Sequence, residues 1–461
     1  MKILLFSTLL MLICSCADFT DIEPKGKNLL EKISDIDQLL NYQYNYINSP
    51  EVPILTGDRM PENAVNLISD PVKTLEAVLL TWDEQTDRAA LTVSDAKYDA
   101  FYGIIGQVAN AVLLMIDDAE GDRITALRLK AEAYVLRAWF HYLAVNLYAK
   151  AYHPATASTD AGVAYSTEKH SVTQPLPKSS VQEVYNNILA DIQAALVLNS
   201  LPNTPQNLMR VSKAFAYAVE AEVYMSLRQY ESAMEAANKS LEIQNTIDDY
   251  SDNLTEGFDL EGNEGEFFDR PEIQSPEDLF YASDNNFVFY GFSPSLSAAF
   301  EPGDIFFNHV VKFPSEAAAM FYGFPIDVGF SSTVFFNNLG LTTIDMYLVK
   351  AECLIRAGND NEAMGIINAI RRCRIDTEYY APLTGVDAFS ALKNLSHTEN
   401  FYSIRHFINL KRWNTEDAYR ETIHKTLQGV NYELRSESPL WIFPFPQNAT
   451  ANNPYLTQNY E

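Results

Sequence analysis

The chain has 461 residues, 47% hydrophobic and 20% charged, a balance that supports a large folded core and excludes wholesale disorder. Its 61 acidic residues against 33 basic ones give a formal charge of −28, which argues against nucleic acid as a partner, because such a surface repels phosphate backbones.

The first fifteen residues read as a signal rather than as part of the fold. Lys2 supplies a positive start, and Ile3 to Ile13 form an apolar run too short to span a bilayer. Ser15 immediately before Cys16 is the arrangement that lipoprotein processing reads, and bulky Ile13 makes Cys14 a poorer site. Cleavage there predicts residues 1–15 as a signal peptide and a lipidated Cys16, with acyl chains buried in a leaflet. An ordinary secretory signal is the alternative. No later stretch is apolar for long enough to cross a membrane.

Helical periodicity dominates the rest of the chain. From Ile124 to Leu147 one apolar stripe runs through Leu127, Ala131, Tyr134, Val135, Ala138 and Tyr142. Ser180-Val181-Gln182-Glu183 is a capping box opening a second helix through Val184, Ile188, Ile192 and Leu196. Two later segments repeat one another, Ala221-Glu222 leading to Ala233 and Ala351-Glu352 leading to Ala363. Each brackets a short polar turn. This is tetratricopeptide helix-turn-helix spacing, in which small residues let paired helices approach closely. Ala131-Glu132 with Tyr134 is a weaker third copy. Cys353 and Cys373 lie in helical patterns without a CxxC or Cys/His partner; two buried free thiols are expected in preference to a disulfide.

From about 246 to 336 the helical pattern breaks. An acidic, Gly-containing stretch is followed by crowded aromatics, with Lys312 the single Lys or Arg between Phe280 and Phe336. Alternation such as Phe287-Val288-Phe289-Tyr290 predicts strands or irregular loops, hence a partly β insertion. Rings with a polar edge suit sugar or peptide contact, so Tyr281, Tyr290 and Tyr322, the neighbouring Asp284, Asn285 and Asn286, and Trp82 are the ligand-binding candidates. Asp259, Glu261 and Asn263, with Glu264, loosely resemble a calcium loop without its full pattern, so a structural calcium there is a weak expectation and no cofactor is called for. None of the seven histidines forms HExxH or an i, i+4 pair, and no GxSxG or Walker A element is present. No enzyme activity is expected.

Several segments, in order, resemble the SusD/RagB family of nutrient-binding outer-membrane lipoproteins. Cys16-Ala17-Asp18-Phe19-Thr20-Asp21-Ile22-Glu23-Pro24 is similar to the family's mature N-terminus, and its acids resemble a surface-export signal. Tyr102 to Asn110, Arg137 to Leu143, Ser180 to Asp191, Tyr347 to Arg372 and Arg405 to Trp413 resemble its helices. Pro444-Phe445-Pro446, Asn453-Pro454 and Gln458-Asn459 are similar to its ending. Ala149 stands where Gly is usual and Asn409 where an acid is usual. The resemblance implies a mostly α fold of tetratricopeptide-like helix pairs (within about 100–245 and 337–415) forming one domain over 16–461. It also implies a lid on a SusC-like TonB-dependent transporter, anchored at the outer membrane and facing the exterior, that takes a glycan. An oligopeptide ligand, a protein-interaction scaffold and a surface hydrolase are the rivals. Trp139, Trp413 and Trp441 fall in framework segments, which leaves few indoles for a glycan-stacking platform.

Overall fold

The computed structural model describes residues 31–42, 44, 47, 50–171, 173–259, 261–269, 275–283, 289–312, 315–323, 326–330 and 337–460. The signal segment with Cys16, and the candidates Asp284, Asn285 and Asn286, lie outside these. Among the described residues eight helices of ten residues or more carry the fold: α1 Arg123–Tyr148, α2 Val181–Val197, α3 Lys213–Ser226, α4 Tyr230–Ile243, α5 Thr343–Arg356, α6 Asp360–Arg372, α7 Ala388–Glu399 and α8 Ile404–Trp413.

Helix α1 begins where the Asp122 carboxylate accepts the Thr125 N–H. The expected single stripe does not hold: in the first half Tyr134 is only half-buried, and Ala126, Leu129 and Ala133 face the core in place of Leu127. From Val135 to Tyr148 every residue is buried, while Leu127 at the start is 43% exposed. The second half of α1 is therefore wrapped on all sides. Its buried Arg137 makes a two-pronged bond to Asp191 of α2 (2.7 Å from both Nε and Nη2) and also reaches Asn110 and Glu168. The α2 capping box is present, with Ser180 and Glu183 satisfying each other's backbone N–H.

The alanine spacing marks real helix pairs. Ala221, Ala233, Ala351 and Ala363 are all fully buried, where α3 meets α4 and α5 meets α6. A side chain larger than methyl would hold those backbones apart. Helix α4 also packs against α5, so the two pairs are neighbours in space although the insertion separates them in sequence. The tight turns use Arg228 (φ 58°) in the first pair and Gly358 (φ 80°) in the second. Glycine adopts that left-handed conformation without steric cost.

Helix α8 is fixed to this scaffold by charge. Arg412 donates to both oxygens of the buried Glu352 of α5 at 2.6 Å, and Arg356 (2.8 Å) and the Trp413 indole (3.2 Å) share the same carboxylate. Arg405 pairs with Asp345 at 2.8 Å. Asn409 accepts from Arg412 at 3.2 Å.

The insertion is partly β, as expected, and among its described residues also holds three short α-helices that the sequence did not suggest, Pro294–Ala299, Ile305–His309 and Ser315–Tyr322. At eight residues or fewer they show too little periodicity to read. Its strands are β1 Leu254–Phe258, paired antiparallel with β2 Glu264–Phe268, then β3 Asp278–Phe280, β4 Phe289–Phe292, β5 Val311–Lys312 and β6 Asp327–Phe330. β6 lies between β4 and β5, and β3 pairs with β7 Leu341–Thr342, which leads into α5. Phe268, Phe292, Leu296, Ile305, Phe306, Val310, Phe401 and Tyr402 form a hydrophobic cluster separate from the main core. Near the C-terminus β8 Ile423–Leu427 and β9 Val430–Leu434 form a hairpin through Gln428 and Gly429, both with positive φ (50° and 77°). Gln in place of the usual Asn hid that turn from sequence reading. Cys353 is buried and free; Cys373 is free but only half-buried, so the expectation of two buried thiols holds for the first alone.

Candidate functional site

A cavity of about 460 Å³ opens where the insertion meets α6 and α7, within the roughly 300–1,000 Å³ typical of small-ligand sites. Its aromatic lining comes from Tyr250, Phe268, Phe300, Phe306 and Phe401. Phe306 and Phe401 are 5.5 Å apart, and Phe300 stacks on Phe307 at 4.7 Å, so these rings hold one another in place. Helix α7 contributes Ser390, Asn394 and Thr398. Spaced four residues apart, they stand one above another on one helix face beside Ala391 and Leu395, which also line the cavity, while Leu392 turns to the core. Asn394 is exposed, and its amide approaches the Ala299 carbonyl at 3.4 Å.

Arginines from α6 and the residues just beyond it stitch the insertion to the helices behind the cavity. Arg371 makes two bonds to Glu301, at 2.7 and 2.6 Å. Arg374 donates to Glu277 (2.8 Å) and Glu399 (2.8 and 3.1 Å) and lies 3.9 Å over the Tyr250 ring. These guanidiniums are already matched by carboxylates, so they shape the walls rather than attract a charged ligand. Asp304 differs. Burial pushes its carboxyl up to about 7, and its one hydrogen bond caps Ile305–His309 through the Phe307 N–H at 2.8 Å. Near neutral pH it both donates and accepts, which suits a ligand hydroxyl.

Of the ring candidates with described side chains, none faces a ligand. Trp82 is 5% exposed; its indole N–H donates to the Leu55 carbonyl at 2.9 Å, and Lys425 covers its face at 3.7 Å. Tyr281 is completely buried, drawn in because its backbone N–H bonds to Leu208 at 2.7 Å next to β3. Tyr322 is 4% exposed, and its ring lies close enough to β4 that a Cβ on Gly291 would stand 3.0 Å from it. These three are packing residues. Tyr290 lies in β4, paired with Gly329. The loosely calcium-like acids close the β1–β2 hairpin instead. Asp259 accepts from the backbone N–H groups of Glu261 and Asn263 (both 2.8 Å) and from the Asn263 amide (2.7 Å). Sequence reasoning missed the cavity residues; the polar i, i+4, i+8 stripe on α7 was the one legible sign of them.

Paired helices carrying an irregular, aromatic-rich insertion, with the cavity at their junction, define a binding protein built on a tetratricopeptide-like scaffold. Family models match two stretches in order: residues 18–225 match SusD-like proteins described as starch-binding and associating with the outer membrane, and residues 344–461 match the SusD family. The chain belongs to the SusD/RagB family. Its fold is similar to that of a SusD superfamily protein from Bacteroides thetaiotaomicron VPI-5482 (TM-score 0.65, 17% identity, covering 93% of this chain and 99% of that one). It is also similar to a putative sugar-binding protein from Bacteroides vulgatus ATCC 8482 (TM-score 0.65, 16% identity, 93% and 98% covered). A third similar structure is surface glycan-binding protein A from Bacteroides thetaiotaomicron, in complex with laminarihexaose (TM-score 0.62, 13% identity, 93% and 99% covered). No curated protein sequence matches the chain. No helix among the described residues is long and apolar enough to cross a membrane.

Proposed function

We propose that this protein is a lipid-anchored surface lipoprotein that captures an oligosaccharide and passes it to a partner TonB-dependent transporter, without catalysing a reaction. The observation that carries the reading is the cavity, which sets aromatic rings beside a stripe of hydroxyl and amide groups. Sugar rings present C–H faces to aromatics and hydroxyls to polar side chains, so one site of this kind holds both aspects of a glycan. The glycan-bound relative supports the ligand class, and the family supports the membrane association. The phenylalanines Phe300, Phe306 and Phe401 equally suit the apolar side chains of an oligopeptide, which makes peptide the one competing ligand to measure.

Calorimetric titration of the mature chain with glucan hexasaccharides and with mixed hexapeptides separates the two. Saturable heat with a sugar and none with peptides is the expected result. Asn394→Ala should weaken that binding by up to about tenfold, the worth of one neutral hydrogen bond, with an unchanged melting temperature because Asn394 is exposed. Binding of peptides alone would reassign the ligand. For the anchor, Cys16→Ser should release the protein from the outer-membrane fraction into the soluble one; a variant that still sediments with membranes contradicts a lipid tether at that residue.

A further inference from the structure

Outside the cavity, three side chains from distant parts of the chain converge. Asp58 follows the short helix Glu51–Thr56, His397 lies in the last turn of α7, and His406 lies in the first turn of α8. His397 Nε2 is 2.7 Å from Asp58 Oδ1, and His406 Nε2 is 3.9 Å from Asp58 Oδ2. One nitrogen from each ring and one oxygen from the carboxylate all lie within 4.8 Å of one another.

The group is poorly satisfied as it stands. Asp58 is 2% exposed, yet its Oδ2 has no hydrogen-bond partner, and neither has Nδ1 of buried His406. The adjacent Thr56 hydroxyl donates to the Pro53 carbonyl at 3.3 Å and offers the Asp58 carboxylate only a secondary contact. A buried polar atom left unpaired is costly, so two of them side by side point to a missing partner.

We propose that Asp58, His397 and His406 form a binding site for one divalent transition metal of the zinc class, with water as the fourth ligand. The proposal is independent of glycan capture. Two imidazoles and one carboxylate are a borderline donor set that suits zinc and disfavours calcium or magnesium, which want oxygen. Bonds of about 2.0–2.1 Å put tetrahedral ligand atoms roughly 3.3–3.4 Å apart. The 2.7 Å contact therefore opens by about 0.6–0.7 Å, and His406, now 3.9 Å from the other carboxylate oxygen, draws in to the same ion. The imidazoles stack with centroids 4.3 Å apart and planes 5° from parallel, so binding splays them until both planes pass through the ion. His397 is 21% exposed, which gives the fourth ligand a way in from solvent. The Asp58 carbonyl also accepts the Ser293 N–H at 3.0 Å, just after β4. A bound ion thus pins the N-terminal segment, the insertion and the α7–α8 pair at one point.

The test uses the full mature chain, stripped with chelator and titrated with zinc chloride by calorimetry and with cobalt chloride by absorbance. One ion per chain and the visible d–d bands of tetrahedral cobalt are expected. Asp58→Asn and His406→Gln should each weaken binding by more than about 100-fold, beyond the 10–100-fold typical of losing an outer-shell partner. His397→Ala, at a partly exposed position, is the variant that keeps the fold while removing a ligand. His424→Ala, on an exposed position of β8, should change nothing. Failure of the parent chain to bind zinc at micromolar concentration overturns the site. So does affinity that survives all three ligand substitutions or falls with His424→Ala.

Discussion

Glu352→Ala is expected to destabilise the protein by about 3–5 kcal/mol, the usual cost of removing one partner from a buried charge cluster. Burial by itself would raise the Glu352 carboxyl, but the guanidiniums of Arg412 and Arg356 outweigh it and hold the group at about 2. Without the carboxylate, Arg412 loses both of its 2.6 Å bonds in a buried site, and the Trp413 N–H loses its acceptor. Of the ion pairs from α8 to α5, only Arg405–Asp345 at its N-terminal end would then remain. Glu352→Gln keeps the shape and one acceptor oxygen, so it should fall between the parent and the alanine variant. The pH dependence has a definite sign. Because the folded value lies below the ordinary 4.5, the contribution is present in full above about pH 4.5 and is lost as pH falls through about 2. Denaturant midpoints at pH 7 and pH 3 measure both effects; an alanine variant as stable as the parent at pH 7 would show that α8 does not depend on this carboxylate.

The second large effect runs the opposite way. Asp304 has a folded value of about 7 against an ordinary 3.8, so its protonated form is the one that the fold favours. The associated stability is fully present below about pH 4 and is lost as pH rises through about 7. At about 1.4 kcal/mol for each tenfold change in proton affinity, the contribution is at most about 4 kcal/mol. Asp304→Asn retains an oxygen to accept the Phe307 N–H and cannot ionise. It should match the parent near pH 4 and exceed it in stability by a few kcal/mol at pH 8. Parallel stability curves for the two proteins from pH 4 to 8 would mean that the carboxyl is solvated in the folded state. The same substitution probes the cavity, since an amide there still meets a ligand hydroxyl.

What the sequence made legible was local and periodic. The alanines twelve residues apart, the Ser180 capping box and the extent of α1 are each decided within a few turns of helix, and the structure follows them; which face of α1 is buried depends on what packs around it. The insertion resisted reading because its helices are two turns or less and its strands pair across long separations, β3 with β7 for example. The same non-local pairing explains the misplaced rings. Tyr281 lies shortly before the polar run Asp284-Asn285-Asn286 in sequence, but β3 and the backbone bond to Leu208 carry it into the interior. Trp82 looks exposed for the same reason, and a contact with Leu55, 27 residues earlier, buries it. The cavity stripe on α7 was visible in principle, since Ser390, Asn394 and Thr398 recur four residues apart on one helix face. The Asp58–His397–His406 group was not, because 339 residues separate the carboxylate from its nearer histidine and no short motif announces it.

Hydrogen–deuterium exchange of the mature chain, with and without a saturating glucan hexasaccharide, tests the central claim most directly. Sugar held in the cavity should slow exchange at 388–401 on α7 and at 294–309 in the insertion, and leave the α3–α4 pair unchanged. Saturable sugar binding that protects a different surface, or no binding by any oligosaccharide tried, would contradict capture at the junction of the insertion and the helix pairs.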